Sequence, residues 1–316
     1  MTSTASGEAM AREVIDALKE IGAAHDGHRA VHAKGTLCAA EFTPTPEAAT
    51  LSTAAHFRGP PVRAHVRFSN GAGDPDAPDY EPREGRGMAV KFYPPDSPTT
   101  DIVALTLPVF FVRDPEGFLE FVRARVPDPA TGEPDMNKLG AFLGAHPESL
   151  AAAEHVMLSQ PPESYLRQAY NSLHSYGFVD AEGTLRFGRY RFEPDAGVAS
   201  IPTDEAEALG AHYLRDDLAA RLAAGPARFT LWVQLAEQDD PVDDPTQAFP
   251  EERERVELGT LVVTGLAFDR EQDGDILVFD PTRVIDGLEL SNDAILRFRA
   301  DAYAESVKRR TGVSRS

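Results

Sequence analysis

The chain has 316 residues and carries 51 acidic against 31 basic side chains, a formal net charge of −20. A surface of that sign repels phosphate backbones and anionic membranes, so nucleic acid is excluded as an expected partner. A single cysteine, Cys38, excludes an intrachain disulfide and any zinc site built on several thiolates, and a reducing, cytoplasmic setting is expected.

The length suits one main domain with helical additions. Met1 to Glu8 lacks a positive stretch followed by an apolar one, and no later apolar run is long enough to span a bilayer, so neither a signal peptide nor a membrane span is expected. The clusters Asp239-Asp240, Asp243-Asp244 and Glu251-Glu252 read as solvated loops. Cys38 reads as a small buried hydrophobe and Trp232 as a packing residue.

From the N-terminus, Met10, Val14, Ile15, Leu18 and Ile21 recur at helical spacing within Glu8 to Gly22, which predicts an opening amphipathic helix on the outside of the core. Ala30 to Phe42 turns β-like. In Pro61 to Ser69, Val62, Ala64, Val66 and Phe68 alternate with Arg63, His65, Arg67 and Ser69, giving a strand with one apolar face and one that can carry chemistry. Asn70 to Gly87 is rich in Gly, Pro and Asp, as a long loop would be, and Met88 to Tyr93 and Asp101 to Val112 resume the strand pattern. Helices are predicted at Pro115 to Arg125, Asn137 to Ala145 and Glu148 to Leu158. Asp180-Ala181-Glu182-Gly183 reads as a hairpin turn between two strands. Asp204 to Ala224 is predicted helical, Arg228 to Leu235 and Leu258 to Phe268 are predicted strands, and a last helix runs from about Ser291 to Arg310. There is no internal repeat, and many strands without βαβ alternation favour an antiparallel barrel with attached helices.

On that last helix Arg299 and Tyr303 are four residues apart and share a face. A guanidinium against a phenol favours the phenolate, a hard anionic ligand that ferric iron accepts in tyrosine-ligated haem. Taken alone, such a pair is more often a surface contact. His32, within Arg29-Ala30-Val31-His32-Ala33-Lys34-Gly35, reads alone as a structural histidine as readily as a catalytic one, and Arg67 as readily as an ion-pair partner.

The order of these pieces resembles the catalase superfamily. The match runs through Arg29 to Gly35, Pro61 to Ser69, Gly85-Arg86-Gly87-Met88-Ala89-Val90-Lys91-Phe92-Tyr93, Pro108-Val109-Phe110-Phe111-Val112-Arg113-Asp114-Pro115, His146 to Leu150, the hairpin at Asp180 to Gly183, Phe279-Asp280-Pro281 and Arg299 to Arg310. The resemblance implies an α+β fold, an antiparallel eight-stranded β-barrel haem core with surrounding helices, in a single domain with an N-terminal helical extension over 1–24 and a ligand helix over 290–312. It implies haem b with ferric iron held by an axial tyrosinate at Tyr303, contacted by Arg299, and His32 as the catalytic base beside Ser69. Arg29, Arg67 and Arg310 fall on the propionate-binding arginines, Val31, Phe110 and Phe118 on apolar residues around the haem, and His174 on a histidine near the propionates. Peroxide and a small organic electron donor are the implied partners, and because the family's members associate, a homo-oligomer is possible.

Two departures shape the expected activity. Leu105 and Thr106 stand where catalases have two asparagines, with Leu105 at the catalytic one. Catalases are also much longer, so the chain resembles a short, catalase-related peroxidase. That reading expects weak catalase and better peroxidase turnover. Its rivals are a haem isomerase or dehydrase of fatty-acid hydroperoxides, resembling allene oxide synthases except that Val31 replaces their threonine, and a barrel that binds haem or a lipid without turnover.

Overall fold

The computed structural model describes residues 2–21, 27–81, 84–128, 130–268 and 276–311. Its strands are β1 (Gly35–Pro44), β2 (Val62–Asn70), β3 (Arg86–Tyr93), β4 (Thr100–Leu105), β5 (Tyr170–Asn171), β6 (Tyr176–Val179), β7 (Leu185–Pro194), β8 (Ala227–Leu235), β9 (Arg255–Leu266) and β10 (Leu288–Leu290). All pairings are antiparallel. The sheet order is β10-β6-β7-β5-β4-β3-β2-β1-β9-β8, and a further β7–β8 pairing closes eight strands into a barrel, leaving β6 and β10 appended to β7. Closure leaves the eight barrel strands no open edge along which another chain could add.

Side-chain alternation decides what fills the barrel. Val62, Ala64, Val66 and Phe68 of β2 join Met88, Val90 and Phe92 of β3 and Phe229, Leu231 and Val233 of β8 in one buried cluster. Phe68 lies 6.1 Å from Phe229 across the interior. An eight-stranded barrel is just wide enough for side chains to fill it. Arg67 and Ser69, on the opposite face of β2, therefore point away from that interior, and the site lies against the barrel wall rather than inside the barrel.

Helices pack outside. They are α1 (Thr2–Ile21), α2 (Pro46–Leu51), α3 (Pro115–Ala124), α4 (Met136–Ala145), α5 (Leu150–Leu158), α6 (Thr203–Leu209), α7 (Tyr213–Ala224) and α8 (Ala294–Thr311). Ala11, Val14 and Ala17 of α1 meet Leu119 and Val122 of α3 and Ile295 and Phe298 of α8 in a second apolar core. The opening helix thus builds a core of its own with α3 and α8.

Three sequence expectations shift. The strand predicted over Asp101 to Val112 ends at Leu105, three residues before Pro108 removes a backbone donor. The helix predicted over Asp204 to Ala224 is two, broken where Gly210 adopts φ +99°. The β-like stretch from Ala30 becomes a strand only at Gly35, because His32 stands at φ +56°, which a strand cannot contain. The predicted hairpin forms, with Gly183 at φ +82° and the Asp180 carboxylate accepting from the Glu182 and Thr184 amides.

Candidate active site

His32 sits in the turn before β1, half-buried, with Nδ1 3.1 Å from Ser69 Oγ. Ser69 pairs with Gly35 of β1 and Gly87 of β3, and Gly87 pairs with Leu105 of β4, so these four form a row across the sheet. Small residues in this row make room for the imidazole. A Cβ on Gly87 would lie 2.7 Å from Ser69 Oγ and 3.0 Å from His32 Cε1 and Nδ1. A Cβ on Gly35 would lie 2.5 Å from the Arg67 guanidinium carbon. Leu105, opposite Gly87, leaves the sheet on the same face and presents no hydrogen-bond donor there.

Burial first, and then the charges of Arg67, Arg299 and Arg29, depress the His32 pKa to about 3, against a contact with the Asn70 backbone that raises it. The imidazole is therefore a neutral base at ordinary pH. Those same influences place the N-terminal turn, β2 and the C-terminal helix in one electrostatic neighbourhood. Arg67 is buried and donates to Ala33 O at 3.1 Å, and Arg29 donates to Leu277 O at 2.9 Å. Arg310 lines a cleft with Gly27, His28 and Ala30 on one side and Ile15 and Lys19 of α1 on the other. Val31, beside His32, is 37 % exposed.

On α8, Arg299 Nε donates to the Tyr303 hydroxyl oxygen at 3.2 Å and Nη2 donates to the same atom, while its guanidinium carbon lies 5.3 Å from the ring centroid. Burial opposes the Arg299 charge, but the Tyr303 oxygen and its hydrogen bonds outweigh it and hold the guanidinium above its usual pKa. Behind Arg299 stands His174, wholly buried, with Nε2 3.1 Å from Arg299 Nη1 and Nδ1 2.6 Å from Asp293 Oδ2. Burial is also the first cause that keeps His174 below its ordinary pKa, with Asp293 opposing it. A guanidinium only donates and a carboxylate only accepts, so His174 carries its proton on Nδ1 and accepts at Nε2. Asp293 Oδ1 also accepts from the Ile295 and Leu296 amides and so caps α8. Phe110 bridges to the apolar side, with ring centroids 5.6 Å from Phe118 and 6.3 Å from His174.

The structure thus joins His32 to Ser69 within the field of Arg67, Arg299 and Arg29, bonds Arg299 to Tyr303 and His174, and sets Phe110 against Phe118 and His174. His174, expected near the carboxylates of a cofactor, has its two ring nitrogens on Asp293 and Arg299. Asp293 was not singled out from the sequence. The signal was present in Ser291-Asn292-Asp293, a run of capping residues ahead of a helix. A phenol oxygen receiving two donors from one guanidinium is prepared to act as an anionic oxygen ligand. Guanidinium forks such as those of Arg29 and Arg67 match carboxylates. This donor set fits an iron porphyrin bearing two propionates. No group of three or more metal-ligating His, Cys, Asp or Glu side chains occurs among the described residues.

The profile of the family described as Catalase matches residues 11–316. The chain is 42 % identical over 311 residues to a catalase-related peroxidase of Mycolicibacterium paratuberculosis, covering 98 % of this chain and 97 % of that one. It is 34 % identical over 299 residues to a catalase-related peroxidase of Synechococcus elongatus, covering 95 % and 88 %. Among solved structures, a fungal catalase superposes with a TM-score of 0.81 at 26 % identity, over 92 % of this chain and 60 % of that chain. A bacterial catalase gives 0.80 at 25 % identity, over 90 % and 58 %.

Proposed function

Because this chain belongs to the catalase family, we propose that it is a haem peroxidase with weak catalase activity, reducing hydrogen peroxide or organic hydroperoxides with a small organic donor. As a member of that family it is an oxidoreductase acting on peroxide. The observation that carries the finer reading is the chain Asp293–His174–Arg299–Tyr303, which ends on a phenol oxygen while the neutral base His32 lies within the field of the same Arg299. Tyr303 holds the iron of haem b, Arg29, Arg67 and Arg310 hold its propionates, and Val31, Phe110 and Phe118 line it. Once bound, haem supplies the electrons that split the O–O bond and retains the oxidising equivalents.

The protein's own groups divide the remaining work. His32, neutral at working pH, takes a proton from the incoming peroxide and returns it to the departing oxygen, with Ser69 fixing the ring through Nδ1. Arg299 stabilises negative charge on the Tyr303 oxygen, and His174, itself oriented by Asp293, keeps the guanidinium in place. Leu105 offers a second peroxide no donor by which to orient as reductant. Loss of one preorganised donor costs on the order of 100-fold in rate. An organic donor consequently competes well for the oxidising equivalents.

The test is to load the purified protein and a His32→Gln variant with haem. Peroxide-dependent oxidation of a phenolic donor and oxygen release are then measured side by side. The parent should oxidise the donor faster than it releases oxygen, and the variant should lose both activities. Fast, sustained oxygen release unresponsive to the donor would overturn the preference, and full activity in the variant would overturn the assignment of the base.

A further inference from the structure

His32 occupies a backbone conformation that it does not favour. At φ +56° it lies in the left-handed region, where a residue with a Cβ is held only if its surroundings enforce it. The enforcement is visible. The His32 amide donates to Gly71 O at 3.2 Å, the Ala33 amide to Ala72 O at 3.1 Å, and the Asn70 amide to Lys34 O at 3.0 Å. The turn carrying His32 is thus laced to the start of the loop between β2 and β3.

A buried ion pair ties the lacing down. Lys34 Nζ lies 2.6 Å from Asp79 Oδ1 and donates to Ala77 O at 2.8 Å and Ala211 O at 2.7 Å. The Asp79 side chain is 1 % exposed and also accepts from Asn70 Nδ2 at 2.8 Å and from the Leu214 amide at 2.8 Å. Asn70 Oδ1 in turn accepts from the Tyr165 hydroxyl at 2.5 Å. The His32 turn, the β2–β3 loop and the corner between α6 and α7 therefore converge on one pair of charges. Ser69, which holds the imidazole, is the residue before Asn70, which holds Asp79.

We propose that Lys34 and Asp79 are positioning residues for His32: their ion pair locks the β2–β3 loop onto the left-handed turn and so sets the angle at which the imidazole faces peroxide. This rests on His32 being the acid–base group. Stability alone is a poor account of the pair, because replacing a buried ion pair by neutral side chains of similar volume is often neutral or stabilising, whereas removing one partner is costly. Geometry is a better account, because shifting a catalytic group by about 1 Å can cost on the order of 100-fold in rate.

The experiment uses the double variant Lys34→Met/Asp79→Asn, which removes both charges and leaves no ion buried alone, beside Asp79→Asn and His32→Gln. Hydrogen exchange of the peptide covering residues 28–36 is measured without haem. Melting temperature, kcat/KM for peroxide and KM for a phenolic donor are measured with it. The double variant should melt close to the parent, exchange its His32 and Ala33 amides at least about tenfold faster, and lose on the order of 100-fold in kcat/KM for peroxide with donor KM unchanged. Asp79→Asn, which leaves the Lys34 ammonium without its carboxylate and turns one of two accepting oxygens into a donor, should show the same changes in exchange and peroxide rate and should also melt below the parent. A double variant with parental exchange and parental peroxide rate overturns the positioning role, provided His32→Gln is inactive. A His32→Gln variant as active as the parent overturns the underlying assignment instead.

Discussion

Gly87→Ala alters the candidate site without replacing any residue assigned to the chemistry. The new methyl carbon would start 2.7 Å from Ser69 Oγ and 3.0 Å from two atoms of the His32 ring. Comfortable separations begin near 3.4 Å, so the ring and the hydroxyl must each give by a few tenths of an ångström. The Ser69 oxygen can rotate away, but only by leaving the 3.1 Å contact that orients Nδ1. Overpacking of this size costs about 1–3 kcal/mol, offset by about 0.5–1 kcal/mol from removing a glycine within a strand, so the barrel should survive. Catalysis should slow. Since a misplacement of about 1 Å can cost on the order of 100-fold, a shift of a few tenths of an ångström predicts a loss on the order of 10-fold in kcat/KM for peroxide. The assay is peroxide-dependent oxidation of a phenolic donor by haem-loaded protein, with haem content and melting temperature as controls. Gly140→Ala is the comparison, since a Cβ there meets nothing within 4 Å. A folded, haem-loaded Gly87→Ala protein with the parental rate would refute the claim that the Ser69–His32 contact sets the geometry of the base.

Leu105→Asn places a donor on the face that carries His32, and an oxygen electrode should then record faster oxygen release, by up to about 100-fold; no gain would remove Leu105 as the cause of the proposed weak catalase turnover. The His32 pKa is depressed to about 3 from an ordinary 6.5, so its ring stays neutral from pH 8 down to about 4. The rate constant for peroxide should accordingly show no step near pH 6.5, and a step there would mean that the base is another group. His56 is wholly buried between Phe57 and Phe92, neither ring nitrogen has a hydrogen-bond partner among the described residues, and burial lowers its pKa to about 3. Below pH 6.5 the unfolded chain takes up this proton and the folded chain does not, so stability falls with falling pH, by about 3 kcal/mol at pH 4.5. His56→Phe should remove that share of the acid sensitivity in denaturant titrations at pH 7 and 4.5, and an unchanged difference between the two pH values would contradict it.

The barrel strands and the C-terminal helix were legible because their signals are local. Alternation in Val62 to Ser69 separated the apolar wall from the face carrying Arg67 and Ser69, and the four-residue spacing of Arg299 and Tyr303 implied the contact that forms. What escaped depends on contacts between distant residues. His174 meets Asp293 across 119 positions and Lys34 meets Ala211 across 177, and no periodicity reports such pairings. The break between α6 and α7 was hidden because Gly210 interrupts an otherwise helix-forming run without a proline to mark it. The role of Gly87 was invisible for a related reason, since its missing side chain matters only to a ring that arrives from another segment.

Tyr303→Phe removes one oxygen atom and leaves the ring in place beside Arg299. The decisive measurement is the absorption spectrum of this variant after exposure to haem, followed by its rate of peroxide consumption. Tyrosinate ligation predicts loss of the band from phenolate-to-iron charge transfer, together with collapse of peroxide turnover. A variant that binds haem with the parental spectrum and consumes peroxide at the parental rate would contradict the account at its centre.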